Sequence, residues 1–74
     1  MCLGIPGRIV EVLPGGDYAR VDVAGQVREI HLGILDGPFE PGRYILIHSG
    51  FALEHMSQEQ AEEALRVFSD AGID

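Results

Sequence analysis

Residues 7–24 read GRIVEVLPGGDYARVDVA, and this stretch decides the fold. Its first part, residues 7–13, is rich in the β-branched side chains that favour strands. Residues 14–17 (PGGD) follow as a strong turn signal. Beyond the turn, Ala19, Val21 and Val23 alternate with polar side chains, as a half-buried strand requires. The stretch therefore predicts two strands joined by a turn.

The segments that follow continue this pattern of short strands. Gly25 supports a tight turn into a third strand at residues 26–32 (QVREIHL). Residues 33–42 contain three Gly and two Pro and predict a loop with room for one short strand or turn. Residues 44–48 (YILIH) suit a strand buried on both faces. Strands joined by Gly and Pro turns predict a mainly β chain, closed into a small barrel of about five strands.

One C-terminal helix is predicted at residues 57–71. Ser57 is a favourable N-cap, and Gln60 completes a capping box three residues later. Gly72 is the natural stop after the helix. An apolar stripe at helical spacing comprises Ala61, Ala64, Leu65, Phe68 and Ala71. The whole chain, residues 1–74, is expected to form one domain, with an N-terminal arm at 1–6 and the barrel at 7–54.

Composition excludes several classes of function. The 74 residues include twelve Asp and Glu against five Arg, with a formal net charge of −7. This charge opposes binding to nucleic acid and to anionic membranes. A single cysteine makes no internal disulfide, and no secretion signal or membrane span is apparent, so a cytoplasmic location is expected. Such a small chain suits a carrier or binding module better than an enzyme with a deep active site.

Cys2, the only cysteine, is the most informative residue. Removal of Met1 would expose a terminal cysteine whose neighbouring ammonium favours the reactive thiolate. Pro6 and Gly7 shape the exit of the arm, with Gly7 permitting a turn, so residues 2–5 are expected to be extended and suited to a partner's groove. The alternatives are a buried structural cysteine and an ordinary entry into the first strand.

His48 is the second candidate, because it ends a buried strand and precedes residues 49–52 (SGFA). Its alternative interpretation is a partly buried structural histidine. His31 and His55 are expected to be surface residues without a role. One thiolate and one imidazole make half a metal site, suited to iron or copper with further ligands supplied from outside. An incomplete ligand shell favours handover of a metal over its storage.

The opening residues 1–7 (MCLGIPG) and residues 48–52 (HSGFA) resemble the HypC/HupF/HybG family of NiFe hydrogenase maturation chaperones. The resemblance extends over essentially the whole chain and implies an OB-like barrel with a C-terminal helix. It also implies work on the Fe(CN)₂CO group, first with a HypD-type scaffold protein and then with the precursor of the hydrogenase large subunit.

By the same resemblance, Cys2 is an iron ligand and a partner contact, and His48 is a second iron ligand. The iron group would be bound transiently and shared with a partner protein. Partner contacts are expected at Cys2, Leu3, Gly4, Ile5, Pro6, Gly50 and Phe51.

Three other functions stay open at this point. The first is an adaptor that docks through its N-terminal arm and carries no metal. The second is an enzyme that uses Cys2 as an N-terminal nucleophile, which the small chain disfavours because it must also supply an oxyanion hole and a cleft. The third is oligonucleotide binding by the barrel, which the acidic charge opposes. A chaperone that is not an enzyme is the leading expectation.

Overall fold

The computed structural model describes residues 4–72, with side chains for residues 4–66. The elements are β1 (Ile5–Val12), β2 (Tyr18–Val23), β3 (Gln26–His31), β4 (Tyr44–His48), β5 (Phe51–Met56) and α1 (Gln58–Gly72). The strands close into a barrel in the order β1-β2-β3-β5-β4. The predicted fold class, a small mainly β barrel of five strands with one C-terminal helix, is confirmed.

Strands β1 and β2 form the antiparallel pair that residues 7–24 predict. Val12 lies opposite Ala19. The connecting turn is closed by the Leu13 N–H, which donates to the Tyr18 carbonyl at 2.9 Å. Ala19 and Val21 are fully buried, as the alternation requires.

Strand β1 begins before Gly7, so the predicted boundary between arm and barrel is wrong. Ile5 lies opposite Ile47 and Pro6 opposite Leu46, and Pro6 is buried. Because β1 pairs with β2 only from Arg8 onward, Pro6 has a strand neighbour on one side only, where proline is tolerated. Only the residues before Ile5 precede the barrel.

Gly7 has a packing role and does not form the predicted turn. It lies within β1. A Cβ added at Gly7 would lie 2.5 Å from Cγ1 of Val21 and 2.6 Å from Cδ1 of Ile47. The core therefore closes over this position only because glycine has no side chain.

The fifth strand is Phe51–Met56, and residues 33–42 contain turns, bends and irregular chain but no strand. β5 pairs antiparallel with β4 as a hairpin, with His48 opposite Phe51. The loop at residues 33–42 lacks the uninterrupted run of strand formers that a ladder needs, because glycine and proline recur through it.

The capping box predicted for the helix is confirmed. The Gln60 N–H donates to Ser57 Oγ, and the Ser57 N–H donates to Gln60 Oε1, both at 3.0 Å. The helix spans Gln58–Gly72 and therefore includes Gly72, so the prediction that Gly72 lies just beyond the helix is wrong. Ala61 is buried, whereas the side chains of Phe68 and Ala71 lie outside the described residues.

The core sits inside the barrel and is entirely apolar in the described residues. It consists of Ile9, Ala19, Val21, Ile30, Leu32, Ile45, Ile47 and Ala52. Across residues 4–72, no helix has the length and apolar character needed to span a bilayer.

Candidate functional site

His48, the predicted metal ligand, lies at the C-terminal end of β4. Ile45 and Ile47 point into the barrel and are buried, so strand alternation places His48 on the outer face. Its side chain is exposed and makes no hydrogen bond, ion pair or ring contact with the described residues. The imidazole is therefore open to a group that arrives from outside the chain.

A tight turn fixes the position of His48 relative to β5. Ser49 and Gly50 connect the strands with φ values of 54° and 83°. Two successive positive φ values are typical of the type I′ turn, whose twist matches that of the flanking strands. Because the turn is this short, His48 and Phe51 are held opposite each other at the end of the hairpin.

The described chain begins beside this same hairpin. Ile5 pairs with Ile47, so Gly4 and His48 occupy the next positions outward on their respective strands. A Cβ at Gly4 would lie 2.6 Å from the Ile47 carbonyl oxygen and 3.1 Å from Cγ of Leu46. The absence of a side chain at Gly4 thus lets the N-terminal segment run close against β4.

A groove of about 840 Å³ opens at this end of the barrel. Apolar side chains line it, namely those of Ile5, Val23, Ile30 and Ile47. Residues of β3 and the turn residues Ser49 and Gly50 complete the lining. The groove therefore joins the start of β1, the β4–β5 turn and one edge of β3.

His31 has a structural position that the sequence did not reveal, and its prediction as a surface residue is wrong. Its ring is half-buried. The centroid of this ring lies 4.7 Å from that of the Tyr18 ring and 5.0 Å from that of the Phe51 ring. The Gly33 N–H donates to His31 Nδ1 at 2.9 Å, and the His31 N–H donates to the Gly50 carbonyl at 2.9 Å. His31 thus links β2, β3 and β5. No local signal indicates this, because the parallel β3–β5 pairing is long-range.

His55 is also more than a surface residue. It is half-buried, its Nε2–H donates to the Asp36 carbonyl oxygen at 2.6 Å, and its ring stacks on Phe39 with centroids 5.4 Å apart. Its Nδ1 is buried without a hydrogen-bond partner in the described residues. These contacts fasten the loop at residues 33–42 to β5, away from the hairpin that carries His48.

The residues predicted to contact a partner are distributed unevenly. Gly50 and Phe51 are exposed at the hairpin, and Phe51 retains 40% of its accessible surface. Gly4 and Ile5 are half-buried, and Pro6 offers no free side chain. Cys2 and Leu3 lie outside the described residues. Within residues 4–72 no group of three His, Cys, Asp or Glu side chains is placed to hold a metal ion.

The family model described as HupF/HypC family matches residues 1–68 of this chain. The chain belongs to the HupF/HypC family. The match includes both the N-terminal residues and the hairpin with His48, so the resemblance based on these two motifs is confirmed.

Individual relatives agree with this membership. The hydrogenase maturation factor HypC of Rhodobacter capsulatus is 38% identical over 76 residues, which cover 97% of this chain and 79% of the relative. The hydrogenase maturation factor HypC of Escherichia coli K12 is 33% identical over 70 residues, which cover 88% of this chain and 76% of the relative. The Frd operon uncharacterized protein C of Proteus vulgaris is 38% identical over 78 residues, which cover 97% of this chain and 79% of the relative.

Proposed function

We propose that this chain is a hydrogenase maturation chaperone that carries the Fe(CN)₂CO group and delivers it to the precursor of the NiFe hydrogenase large subunit. Membership of the HupF/HypC family and the names of the relatives support the broader role of maturation factor. The observation that supports the carrier role is the exposed His48 beside the start of β1, which has no partner among the described residues.

The short distance in sequence between Cys2 and Gly4 supports ligation of one iron group by both proposed ligands. Cys2 precedes Gly4 by two residues, and two residues of chain span at most about 7 Å. Gly4 lies one position beyond the Ile5–Ile47 pair, and His48 lies one position beyond it on the other strand. A thiolate tethered at this distance can reach the imidazole of His48.

The chemistry of these two donors suits a cargo that must leave. Thiolate is a soft ligand and imidazole is a borderline one, and both bind iron. An iron that already carries two cyanides and one carbon monoxide requires few further donors. Cys2 and His48 supply two, and a partner protein completes the shell. The iron group is then released when the partner offers better ligands.

The proposed partners are a HypD-type scaffold protein, on which the iron acquires its diatomic ligands, and the large-subunit precursor. The hairpin residues Gly50 and Phe51 are exposed, so both proteins can reach them. Cys2 and Leu3 are proposed to complete the contact. The chain has no catalytic step in this scheme, because it only holds and passes on the iron group.

The test is anaerobic copurification of the chain with the scaffold protein, followed by infrared spectroscopy in the CO and cyanide stretching region. We expect bands with the wild type and none with Cys2→Ala, which also loses both partners while its barrel stays folded. Cys2→Ser separates binding from ligation, because serine preserves size but is a poor ligand for soft iron.

His48→Ala should retain the protein complex and lose at least part of the iron. Glu54→Ala is the matched control, since Glu54 is an exposed residue of the same hairpin. If the wild type copurifies with its partners but shows no CO or cyanide bands, the chain is an adaptor and not an iron carrier. Normal bands with Cys2→Ala would refute the role of the thiolate.

A further inference from the structure

One edge of β3 is almost unpaired in the described chain. On one side β3 pairs with β2 from Gln26 to His31, but on the other side it meets β5 at a single position, His31 opposite Phe51. A strand edge with free N–H and C=O groups is a template for another strand. The edge of β3 before His31 is therefore available for pairing.

The direction of the free peptide groups follows from His31. Its N–H donates to the Gly50 carbonyl, so it points away from β2 and towards the edge. Peptide groups repeat every two residues along a strand, so those of Val27 and Glu29 point to the same edge. Val27 is 58% exposed, and both residues line the groove.

The groove gives this edge an apolar floor. Ile5, Val23, Ile30 and Ile47 line the groove beside the edge. The free part of β3, residues 26–29, is about 13 Å long at the usual rise of a strand. An extended peptide bound along this edge would pair its backbone with β3 and bury alternate apolar side chains against the floor.

Arg28 adds a charge preference to the groove. Three other arginines are paired with carboxylates: Arg8 with Asp22 at 3.6 Å, Arg20 with Glu11 at 3.2 Å and Arg43 with Glu40 at 3.8 Å.

Arg28 has no carboxylate partner among the described residues. Its Nη2 donates to Gln26 Oε1 at 2.7 Å, and it lines the groove. Glu29 also lines the groove, but strand alternation places the side chain of Arg28 on the same face as the inward Ile30 and that of Glu29 on the opposite face. A guanidinium in this position pairs best with a carboxylate.

We infer that the free edge of β3 and the adjoining groove bind an extended apolar peptide segment with one carboxylate, supplied by a protein partner. The segment adds a strand along Val27 and Glu29, and its carboxylate meets Arg28. This inference rests on the proposed function only in taking the segment from the scaffold protein or the large-subunit precursor. It requires neither Cys2 nor iron.

The test is amide hydrogen exchange of the wild-type chain, free and mixed with each purified partner in turn. We expect exchange at Val27 and Glu29 to slow at least about tenfold in one of the two complexes, as new backbone hydrogen bonds form. The amide of Arg28, which faces β2, is the internal control and should change much less.

Two pairs of variants extend the test. Val27→Pro removes the edge N–H and should weaken the complex about tenfold, whereas Val27→Thr keeps the N–H and should bind like the wild type. Arg28→Glu should weaken binding about tenfold or more, and Arg66→Glu is its control, because Arg66 is an exposed helical arginine without a carboxylate partner among the described residues. Circular dichroism checks the fold of each variant. If Val27→Pro does not fold, the test rests on the binding of Arg28→Glu and on amide exchange in the wild-type complexes.

The outcomes separate this inference from the carrier role. If the amides of Val27 and Glu29 are protected in a complex that shows no infrared bands, the chain binds a peptide at the edge of β3 but does not carry the iron group. A complex that forms without protection of the amides of Val27 and Glu29 would overturn the proposal that the groove binds a peptide. Protection in the free chain would also overturn it, since a second copy or the N-terminal segment would then occupy the edge. Failure to bind either partner would refute the proposed function and this inference together.

Discussion

The barrel has two unequal parts, which we call the sealed side and the seam. On the sealed side β1 pairs with β2 at four positions and with β4 at four positions. At the seam β3 and β5 meet at one position, supported by the rings of Tyr18, His31 and Phe51. The sealed side therefore has backbone pairing along both edges of β1, whereas the seam leaves peptide groups available for binding.

The largest expected effect is a core truncation on the sealed side. Ile45 lies opposite Gly7 and is fully buried, so Ile45→Ala should lower the free energy of unfolding by about 2–5 kcal/mol. Chemical denaturation measures this change. Val10→Ala is the control, because Val10 is 40% exposed on β1 and should lose much less. Equal losses for the two variants would contradict the assignment of the core.

The next effect concerns the close packing at Gly7. Gly7→Ala should lower the free energy of unfolding by about 1–3 kcal/mol, because the added methyl overlaps Val21 and Ile47. The double variant Gly7→Ala/Val21→Ala makes room for that methyl. Its total loss in chemical denaturation should therefore be smaller than the sum of the single losses. Simple additivity would show that overlap with Val21 is not the cause.

A smaller effect is expected at the seam. Phe51→Ala should lower the free energy of unfolding by about 1 kcal/mol and speed amide exchange at His31, because Phe51 packs on the His31 ring. Leu53→Ala is the matched control, since Leu53 is equally exposed on the same strand. If His31 exchanges at the wild-type rate in Phe51→Ala, the ring contact does not hold the seam closed.

The same contrast separates what the sequence predicts from what it does not. The strands of residues 7–24 follow from alternation and a turn signal, and the helix start follows from Ser57 and Gln60, because these signals are local. The role of His31 depends on a parallel contact between β3 and β5, which are distant in the sequence. Local periodicity carries no information about that contact.

The candidate site shows the same division. The sequence identifies His48 by its place at the end of an apolar run and by the family motif. Its exposure and its closeness to Gly4 required the register of β1 on β4. The free edge of β3 was not predicted at all, since an alternating strand does not indicate how many neighbours it has. Cys2, the other proposed ligand, was identified from the terminal motif alone.

The smallest expected effect is in the turn between β2 and β3, where Ala24 lines the groove. Ala24 has φ of 53° and Gly25 has φ of 90°, as in a type I′ turn. Ala24→Asn should raise the free energy of unfolding by about 0.5 kcal/mol, because asparagine tolerates this conformation better. Ala24→Val should lower it, since β-branched residues avoid positive φ. Thermal unfolding of both variants checks the order.

The most direct test of the carrier role is a transfer experiment. The chain, purified anaerobically with its iron group, is mixed with iron-free large-subunit precursor, and the two proteins are separated by size and examined by infrared spectroscopy. The carrier role predicts that the CO and cyanide bands leave the chain and appear with the precursor. Bands that remain on the chain, or that were never on it, would contradict the proposal.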